Sequence, residues 1–397
     1  MSDWQECKLG DAPFEVIDGD RGTNYPKQDQ FSSTGYCLFL NAKNVTTDGF
    51  EFSDCYFVSK EKDETLRKGK LQRNDIILTT RGTVGNIAFY NSRVPYEHIR
   101  INSGMIIIRP NVNGILPEYT YQLFKFLKRD FDVFATGSAQ PQLPIRDLKE
   151  IDILLPPLPE QRAIAAVLSC LDDKIDLLNR QNKTLEALAA TLWRKMFVED
   201  ADPNWKKGKL GDFGQIICGK TPSTKVSAYF GGDIPFIKIP DMHGNTFIFK
   251  TEDSLTDDGR DSQSGKTIPK KSICVSCIAT VGLVSMNSFD SQTNQQINTI
   301  IPNSEYLRYY LFVMLRNMTD DLLTRASGGT ATDNLNTGDF SRIEIMNPPE
   351  ELLKNYDTLV KYYFDKIYSN SLQIRTLSAL RDSLLPKLMS GEVRVKL

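Results

Sequence analysis

Histidine is scarce in this sequence: only His98 and His243 occur in 397 residues. That scarcity removes most histidine-ligated zinc sites and most Ser–His nucleophilic chemistry. No apolar run reaches the ~18 residues a membrane span needs. The start, Met1-Ser2-Asp3-Trp4-Gln5-Glu6-Cys7, lacks the basic and apolar regions of a signal peptide. The seven cysteines are odd in number and follow no framework spacing, so reduced thiols in a cytoplasmic compartment are expected. Positive charge is not in excess either. The 48 Lys and Arg stand against 50 Asp and Glu, a net charge of −2. A whole-chain electrostatic argument therefore does not point to nucleic acid.

What is present is an internal duplication. Trp4-Gln5-Glu6-Cys7-Lys8-Leu9-Gly10-Asp11 returns as Trp205-Lys206-Lys207-Gly208-Lys209-Leu210-Gly211-Asp212. Thr83-Val84-Gly85 returns as Thr280-Val281-Gly282. Leu143, Asp147, Ile151, Ile153, Pro156 and Pro157 match Leu335, Asp339, Ile343, Ile345, Pro348 and Pro349, and Asp173-Lys174-Ile175 matches Asp365-Lys366-Ile367. The order is preserved while the offset shrinks, as two homologous halves with loop deletions would give. The period is too long for a solenoid repeat, so each half is a domain-sized unit.

Each half closes on a long apolar stripe. After Pro156-Pro157-Leu158-Pro159, prolines suited to a helix start, Ile164, Leu168, Leu171, Ile175, Leu178, Asn182, Leu185, Ala189 and Leu192 step by four and three. That is an a/d seam of about four heptads. The second seam is Tyr356, Val360, Tyr363, Ile367, Asn370, Ile374, Leu377, Arg381 and Leu384, ending near Gly391. Two such seams in one chain should pack on each other, and a buried Asn in each typically fixes register. The alternative is that both are ordinary core stripes. Before the helices, short β-branched runs between turn residues read as strands: Ile76 to Thr80, Met105 to Ile108, Ile151 to Leu154, Ile234 to Ile239, Ser272 to Ser276 and Ile343 to Met346. Leu116 to Phe134 and Tyr306 to Arg325 read as helices. The expected fold is α+β: two homologous domains of mixed sheet and helices, 1–158 and 198–349, separated by long helices over 159–197 and 350–397 that form an antiparallel coiled coil. Neither domain is net basic, at −2 and −3, so any DNA-facing charge must gather on one face.

The common catalytic signatures do not survive inspection. Asn347-Pro348-Pro349-Glu350 resembles the start of an amino-methyltransferase motif, but Glu350 stands where an aromatic ring must stack on a flipped base. Gly265-Lys266-Thr267 has five residues back to Gly259, where a P-loop needs four. Cys274-Val275-Ser276-Cys277 is a lone CxxC in apolar surroundings. Arg67-Lys68-Gly69-Lys70-Leu71-Gln72-Arg73 is a basic run that usually marks a solvated loop, with phosphate contact as the alternative. These absences favour a binding protein over an enzyme.

More pointed are loops that combine small turn residues with Arg, Lys, Asn or Gln, since Arg reads guanine and Asn or Gln reads adenine through paired hydrogen bonds. They supply the candidate DNA-binding residues Lys43, Arg81, Gln140, Gln142, Lys220, Thr221, Ser223, Lys238, Asn294 and Gln295. The same residue types also serve ordinary loops.

The order of segments resembles the specificity subunit of type I restriction–modification enzymes. The resemblance rests on Ile153-Leu154-Leu155-Pro156-Pro157-Leu158-Pro159-Glu160-Gln161, on Gly208-Lys209-Leu210-Gly211-Asp212 followed by Gly219-Lys220-Thr221-Pro222-Ser223, on Arg81-Gly82-Thr83-Val84-Gly85, on Asn294-Gln295-Gln296, and on the ending Leu384-Leu385-Pro386-Lys387-Leu388-Met389-Ser390-Gly391-Glu392-Val393. It spans essentially the whole chain and departs at Glu350-Glu351-Leu352, where Pro-Glu-Gln would be expected. It implies a non-catalytic, prokaryotic cytoplasmic protein whose two target-recognition domains each read half of a split sequence in double-stranded DNA. The coiled coil would be a spacer that docks two modification subunits. Restriction subunits would join, and S-adenosylmethionine, ATP and magnesium would belong to those partners. Two other readings remain: a scaffold that reads no DNA, and a recognition subunit of a related non-type-I methyltransferase–nuclease system.

Overall fold

The computed structural model describes residues 4–47, 49–134, 141–327 and 333–396, without the side chains of 132–134. The chain divides into two units, Met1–Lys174 with Leu377–Leu397, and Ile175–Thr376. The division passes through both long helices, so each unit holds one α+β body and the helical segments that pack on it.

In the first unit a four-stranded antiparallel sheet runs in the order Phe14–Asp18, Met105–Pro110, Ile76–Thr79, Ile87–Phe89. The strand Met105–Pro110 reads as a continuous apolar run because both its faces are covered. Ile106 and Ile108 pack with Tyr119, Leu123 and Phe124 of the helix Pro117–Phe134, while Met105 and Ile107 pack with Leu38, Leu40 and Ile99. A second sheet pairs Cys37–Leu40 with Ile99–Ile101 in parallel and with Phe57–Val58 antiparallel. The second unit repeats this plan. Its larger sheet runs Gly214–Cys218, Ile297–Pro302, Ile273–Ser276, Val284–Asn287, Phe247–Ile248, and its smaller one runs Asp253–Leu255, Phe230–Ile237, Gln292–Thr293.

The repeated W-x-x-x-K-L-G-D stretch has the same structural use in both units. Gln5–Lys8 pairs with Asp152–Leu155, and Lys206–Lys209 pairs with Glu344–Asn347 in the matching register. The following Leu9 and Leu210 are buried, and each donates its N–H to the carbonyl of Ile151 or Ile343 at 2.8 Å. The first strand of each body is thereby tied to the last, immediately before the long helix.

The long helices span Leu158–Arg194, followed by a π-turn over Lys195–Glu199, and Glu350–Met389, followed by Gly391 at φ 74°. The Pro-Glu-Gln start of the first has a concrete use. Buried Gln161 donates to the carbonyls of Gly114 and Pro156 and accepts from the Leu116 N–H, while Glu160 accepts from the Trp4 indole at 2.9 Å. At the second start the duplicated position is Leu353, which is buried in the core instead. Ile164, Leu168, Leu178, Val360, Ile367 and Asn370 are buried, and Leu171, Ile175, Asn182, Leu185, Leu192, Ile374, Leu377 and Leu384 are half-buried. In the first unit Arg381 reaches Asp172 at 3.2 Å; in the second, Tyr356 donates to the Ala189 carbonyl at 3.0 Å. Both contacts are those of antiparallel helices.

Asn370 Nδ2 donates to Asn182 Oδ1 at 2.9 Å, while buried Asn370 Oδ1 has no partner. Asn182→Ala should cost the second unit about 1–3 kcal/mol by leaving that donor only its longer bond to Gln181 Oε1 at 3.4 Å, and Asn182→Leu with Asn370→Leu should recover the loss. Urea unfolding followed by circular dichroism checks both; a double variant less stable than the single one would contradict the account.

Two elements differ from the sequence expectation. The helix expected over Tyr306 to Arg325 is broken into Arg308–Asn317 and Thr319–Ala326. The break brings Thr319 against Gly282, where an added Cβ would meet Thr319 Cγ2 at 2.7 Å. The strand expected to reach Ile239 stops at Ile237, because Lys238 caps the short turn Ile239–Met242: its N–H donates to Asp241 Oδ2 at 2.8 Å.

Candidate nucleic-acid interface

In the first unit, strand Phe14–Asp18 runs into Gly19-Asp20-Arg21-Gly22-Thr23. Gly19 is pressed on the turn that follows Ile99–Ile101; a Cβ there would lie 2.3 Å from the Asn102 carbonyl oxygen. The N–H groups of Thr80 and Arg81 donate to the Gly104 carbonyl at 2.8 and 3.2 Å. The loop then turns through Gly82 (φ 76°) and Gly85 (φ 86°), whose N–H returns to the Thr79 carbonyl. Leu143 donates to the Thr80 carbonyl at 2.9 Å, and Gln142 bridges to Arg81. Residues 19–23, 80–85, 102–104 and 141–144 thus form one cradle. Gln140 lies outside the described residues.

The second unit builds the same cradle. A Cβ on Gly219 would lie 2.1 Å from the Asn294 carbonyl oxygen. Cys277 donates to the Gln296 carbonyl at 2.8 Å, Gly282 to Ser276 at 3.0 Å, and Leu335 to Cys277 at 2.8 Å. Ile278 bridges to Asn334 as Arg81 does to Gln142. Ala279 adopts φ 65° where the first unit has Gly82, held by its N–H on the Asp333 carbonyl at 3.0 Å.

On these matching frames the side chains differ. Arg81 is exposed, and among the described residues no partner holds its guanidinium. Lys220 and Ser223 are exposed on the Gly219 loop. Thr221 Oγ1 donates to Gln295 Oε1 at 2.7 Å, joining two loops at the surface and leaving the Gln295 Nε2 donors. Asn294 is buried in the turn: its Oδ1 accepts from the Gln296 N–H and its Nδ2 donates to Gln296 Oε1. Lys43 and Lys238 follow the strands parallel to those that end before Asn102 and Asn294. Both are matched to acids, Lys43 to Asp54 at 3.8 Å and Lys238 to Asp253. Arg21 was missed by sequence reasoning. It is exposed on the Gly19 loop and reaches Asp18 at 3.1 Å and the Ser103 carbonyl at 3.4 Å. Aligning Gly19 with Gly219 would have found it, opposite Thr221.

Most of the basic run Arg67 to Arg73 has internal work. Lys70 pairs with buried Asp63, and Arg73 donates to the carbonyls of Asn91, Val94 and Tyr96 while lying 4.2 Å over the Tyr90 ring. Burial alone would raise the Asp20 carboxyl. The N–H groups of Gly22, Arg67 and Lys68, with the Arg67 charge, hold it below the usual carboxylate range. Cys274 and Cys277 are buried, and burial pushes their thiols up to about 12 and about 11, the opposite of an activated pair. Among the described residues no group of three or more His, Cys, Asp or Glu could hold a metal ion, and no helix is long and apolar enough to cross a membrane.

Residues 1–187 and 203–366 both match the family model of the type I restriction modification DNA specificity domain. The chain belongs to that family. It is 33% identical to the specificity subunit of the type I restriction enzyme HindI of Haemophilus influenzae, over 99% of this chain and all of that one. It is 27% identical to the MjaIX specificity subunit of Methanocaldococcus jannaschii, over 82% of this chain and 78% of that one. The fold is similar to the crystal structure of the type I restriction–modification S subunit from M. genitalium, with a TM-score of 0.61 at 15% identity, covering 98% of this chain and 96% of the other. The specificity family thus accounts for both bodies and both long helices.

Proposed function

We propose that this specificity-family chain is the non-catalytic, sequence-specific DNA-recognition subunit of a type I restriction–modification complex. The target-recognition domains are 1–158 and 198–349, and each reads one half of a bipartite target in double-stranded DNA. The segments 159–197 and 350–397, which carry the long helices, serve as the spacer and dock two modification subunits. Restriction subunits complete the assembly. S-adenosylmethionine, ATP and magnesium act in those partners, in a prokaryotic cytoplasm.

The observation that carries this reading is one backbone cradle built twice with different exposed or half-buried side chains. Arg81 and Gln142 occupy it in the first domain; Lys220, Thr221 and Gln295 occupy it in the second. A shared frame with exchanged donors gives two readers of different half-sequences. The near-neutral chain is compatible with this, because base contacts specify while partner subunits can supply phosphate contacts.

Mapping adenine methylation across the host genome, with and without the gene, tests the proposal. The expected result is loss of one split motif with an unread gap; an unchanged methylome would overturn it. Arg81→Ala should lower discrimination at one base pair of the first half by about 1–3 kcal/mol and leave the second half intact. Competition binding with single-base variants of the target reads this out. Unchanged discrimination would remove Arg81 from the interface.

A further inference from the structure

The second cradle is held by a pair of buried amides that are absent from the candidate DNA-contact set. Gln292 lies two residues before the reading turn at Asn294, on the strand Gln292–Thr293, and is fully buried. Its Nε2 donates to the Arg260 carbonyl at 3.0 Å, the Gln263 carbonyl at 3.3 Å and Thr267 Oγ1 at 3.0 Å. Gln263, also buried, donates through Nε2 to Gln292 Oε1 at 2.7 Å and to the Lys220 carbonyl at 2.6 Å. The pair therefore joins three stretches: the Lys220–Ser223 loop, the turn carrying Gln295, and the segment after the short helix Asp257–Asp261.

The first unit holds the corresponding parts by other means. Arg100 stands at the same strand position, two residues before Asn102, and donates to the carbonyls of Asp63 and Leu66. The loop after Gly19 is anchored from its own side, since Asp20 accepts the Arg67 N–H at 2.7 Å. In the second unit position 220 is a lysine and cannot be such an anchor. The Gln263 amide holds the backbone carbonyl of that residue instead, and the lysine side chain is exposed. Gln263 Oε1 has no partner although it is buried. The side chain is thus oriented by its two donated bonds, against the cost of an orphaned acceptor.

We propose that Gln263 and Gln292 are positioning residues for recognition of the second half-site. They set the spacing between the Lys220 loop and the Gln295 turn without touching DNA. The inference rests on the DNA-recognition reading above. Gln263→Glu keeps the shape but replaces both donations with acceptor facing acceptor; Gln263→Met removes them without adding charge. Each variant is assembled with its modification subunits and bound to duplexes mismatched in the first or the second half.

The expected result is about a tenfold fall in preference for the correct second half, with first-half preference unchanged. The slope of log affinity against log salt should also stay unchanged, because neither variant removes a cationic side chain. Retention of second-half preference in both variants overturns the proposal. So does loss of both halves together, which would mean general destabilisation. If the unaltered complex prefers no bipartite target, it is the DNA-recognition reading that fails.

Discussion

Asp63→Ala should destabilise the first unit by about 3–5 kcal/mol, the range for breaking a buried ion pair from one side. Asp63 is 1% exposed on the short helix Lys60–Thr65, which Ser59 caps by accepting the Lys62 N–H. Its carboxylate receives Lys70 and Arg100. Arg100 is itself 5% exposed and otherwise has only carbonyls around it: Lys68 at 2.7 Å, Asp63 at 2.8 Å and Leu66 at 3.0 Å. Without the carboxylate its charge would be buried and uncompensated.

The same group gives the unit a pH dependence. Burial pushes the Asp63 carboxyl up, but Lys70 and Arg100 pull it below its ordinary value. A carboxyl depressed in the folded state contributes stability that is fully present above its unfolded value of about 3.8 and is lost as pH falls through the folded value. Asp20 is depressed against its burial by backbone N–H groups, and Asp172 against its burial by Lys125, Gln122 and Arg381. Both add to the effect in the first unit. In the second unit, Arg260 and Arg342 hold Asp261 and Asp339 low, but both acids are exposed and solvent screens these pairs, while burial raises Asp357, which has the opposite sign and favours the folded state on acidification. The first unit should therefore lose structure at a higher pH than the second. Hydrogen exchange resolved to Met105–Pro110 and Ile297–Pro302 between pH 6 and pH 3 measures this. Equal loss in both strands, or an Asp63→Ala protein as stable as the original, would contradict it.

Gly19→Ala and Gly219→Ala should each abolish recognition of one half-site and spare the other. Neither glycine is required for a left-handed backbone; the cause is close approach. The new Cβ would come 2.3 Å from the Asn102 carbonyl oxygen in the first case. In the second it would come 2.1 Å from the Asn294 carbonyl oxygen and 2.2 Å from Thr293 Oγ1. Backbone cannot give way as a flexible side-chain tip can, so the loop must move off the reading turn. Overpacking of this kind costs about 1–3 kcal/mol, within the stability of a domain of this size, so the bodies should stay folded while the cradle opens. Methylome sequencing of strains carrying each variant reads the outcome. Gly19→Ala should relax the first half of the motif and Gly219→Ala the second. If either variant erased both halves, or neither, the cradle would not be the reading surface.

Much of this architecture was legible because its signals are local and periodic. The two seams are patterns of three and four residues, and Asn182 and Asn370 meet in the structure at 2.9 Å. The strand Met105–Pro110 and the helix Pro117–Phe134 lie within a residue or two of their sequence limits. The duplicated K-L-G-D stretch could be read as an equivalence before its register against Asp152–Leu155 and Glu344–Asn347 was known. Composition and spacing also determined what the chain does not carry, since a P-loop or a base-flipping motif demands particular residues at particular separations.

Only the tertiary structure decided which polar side chains are free. Asn294 and Gln295 are adjacent and chemically alike, yet one is folded into its own turn and the other is exposed. Lys43 and Lys238 read as cations, but the acids they pair with are 11 and 15 residues away in the chain. Gln263 and Gln292 show nothing in the sequence to distinguish them from surface glutamines. The physical reason is the same in each case. Secondary structure follows from neighbours a few residues apart, whereas the availability of a hydrogen-bonding group depends on which distant groups the fold brings to it.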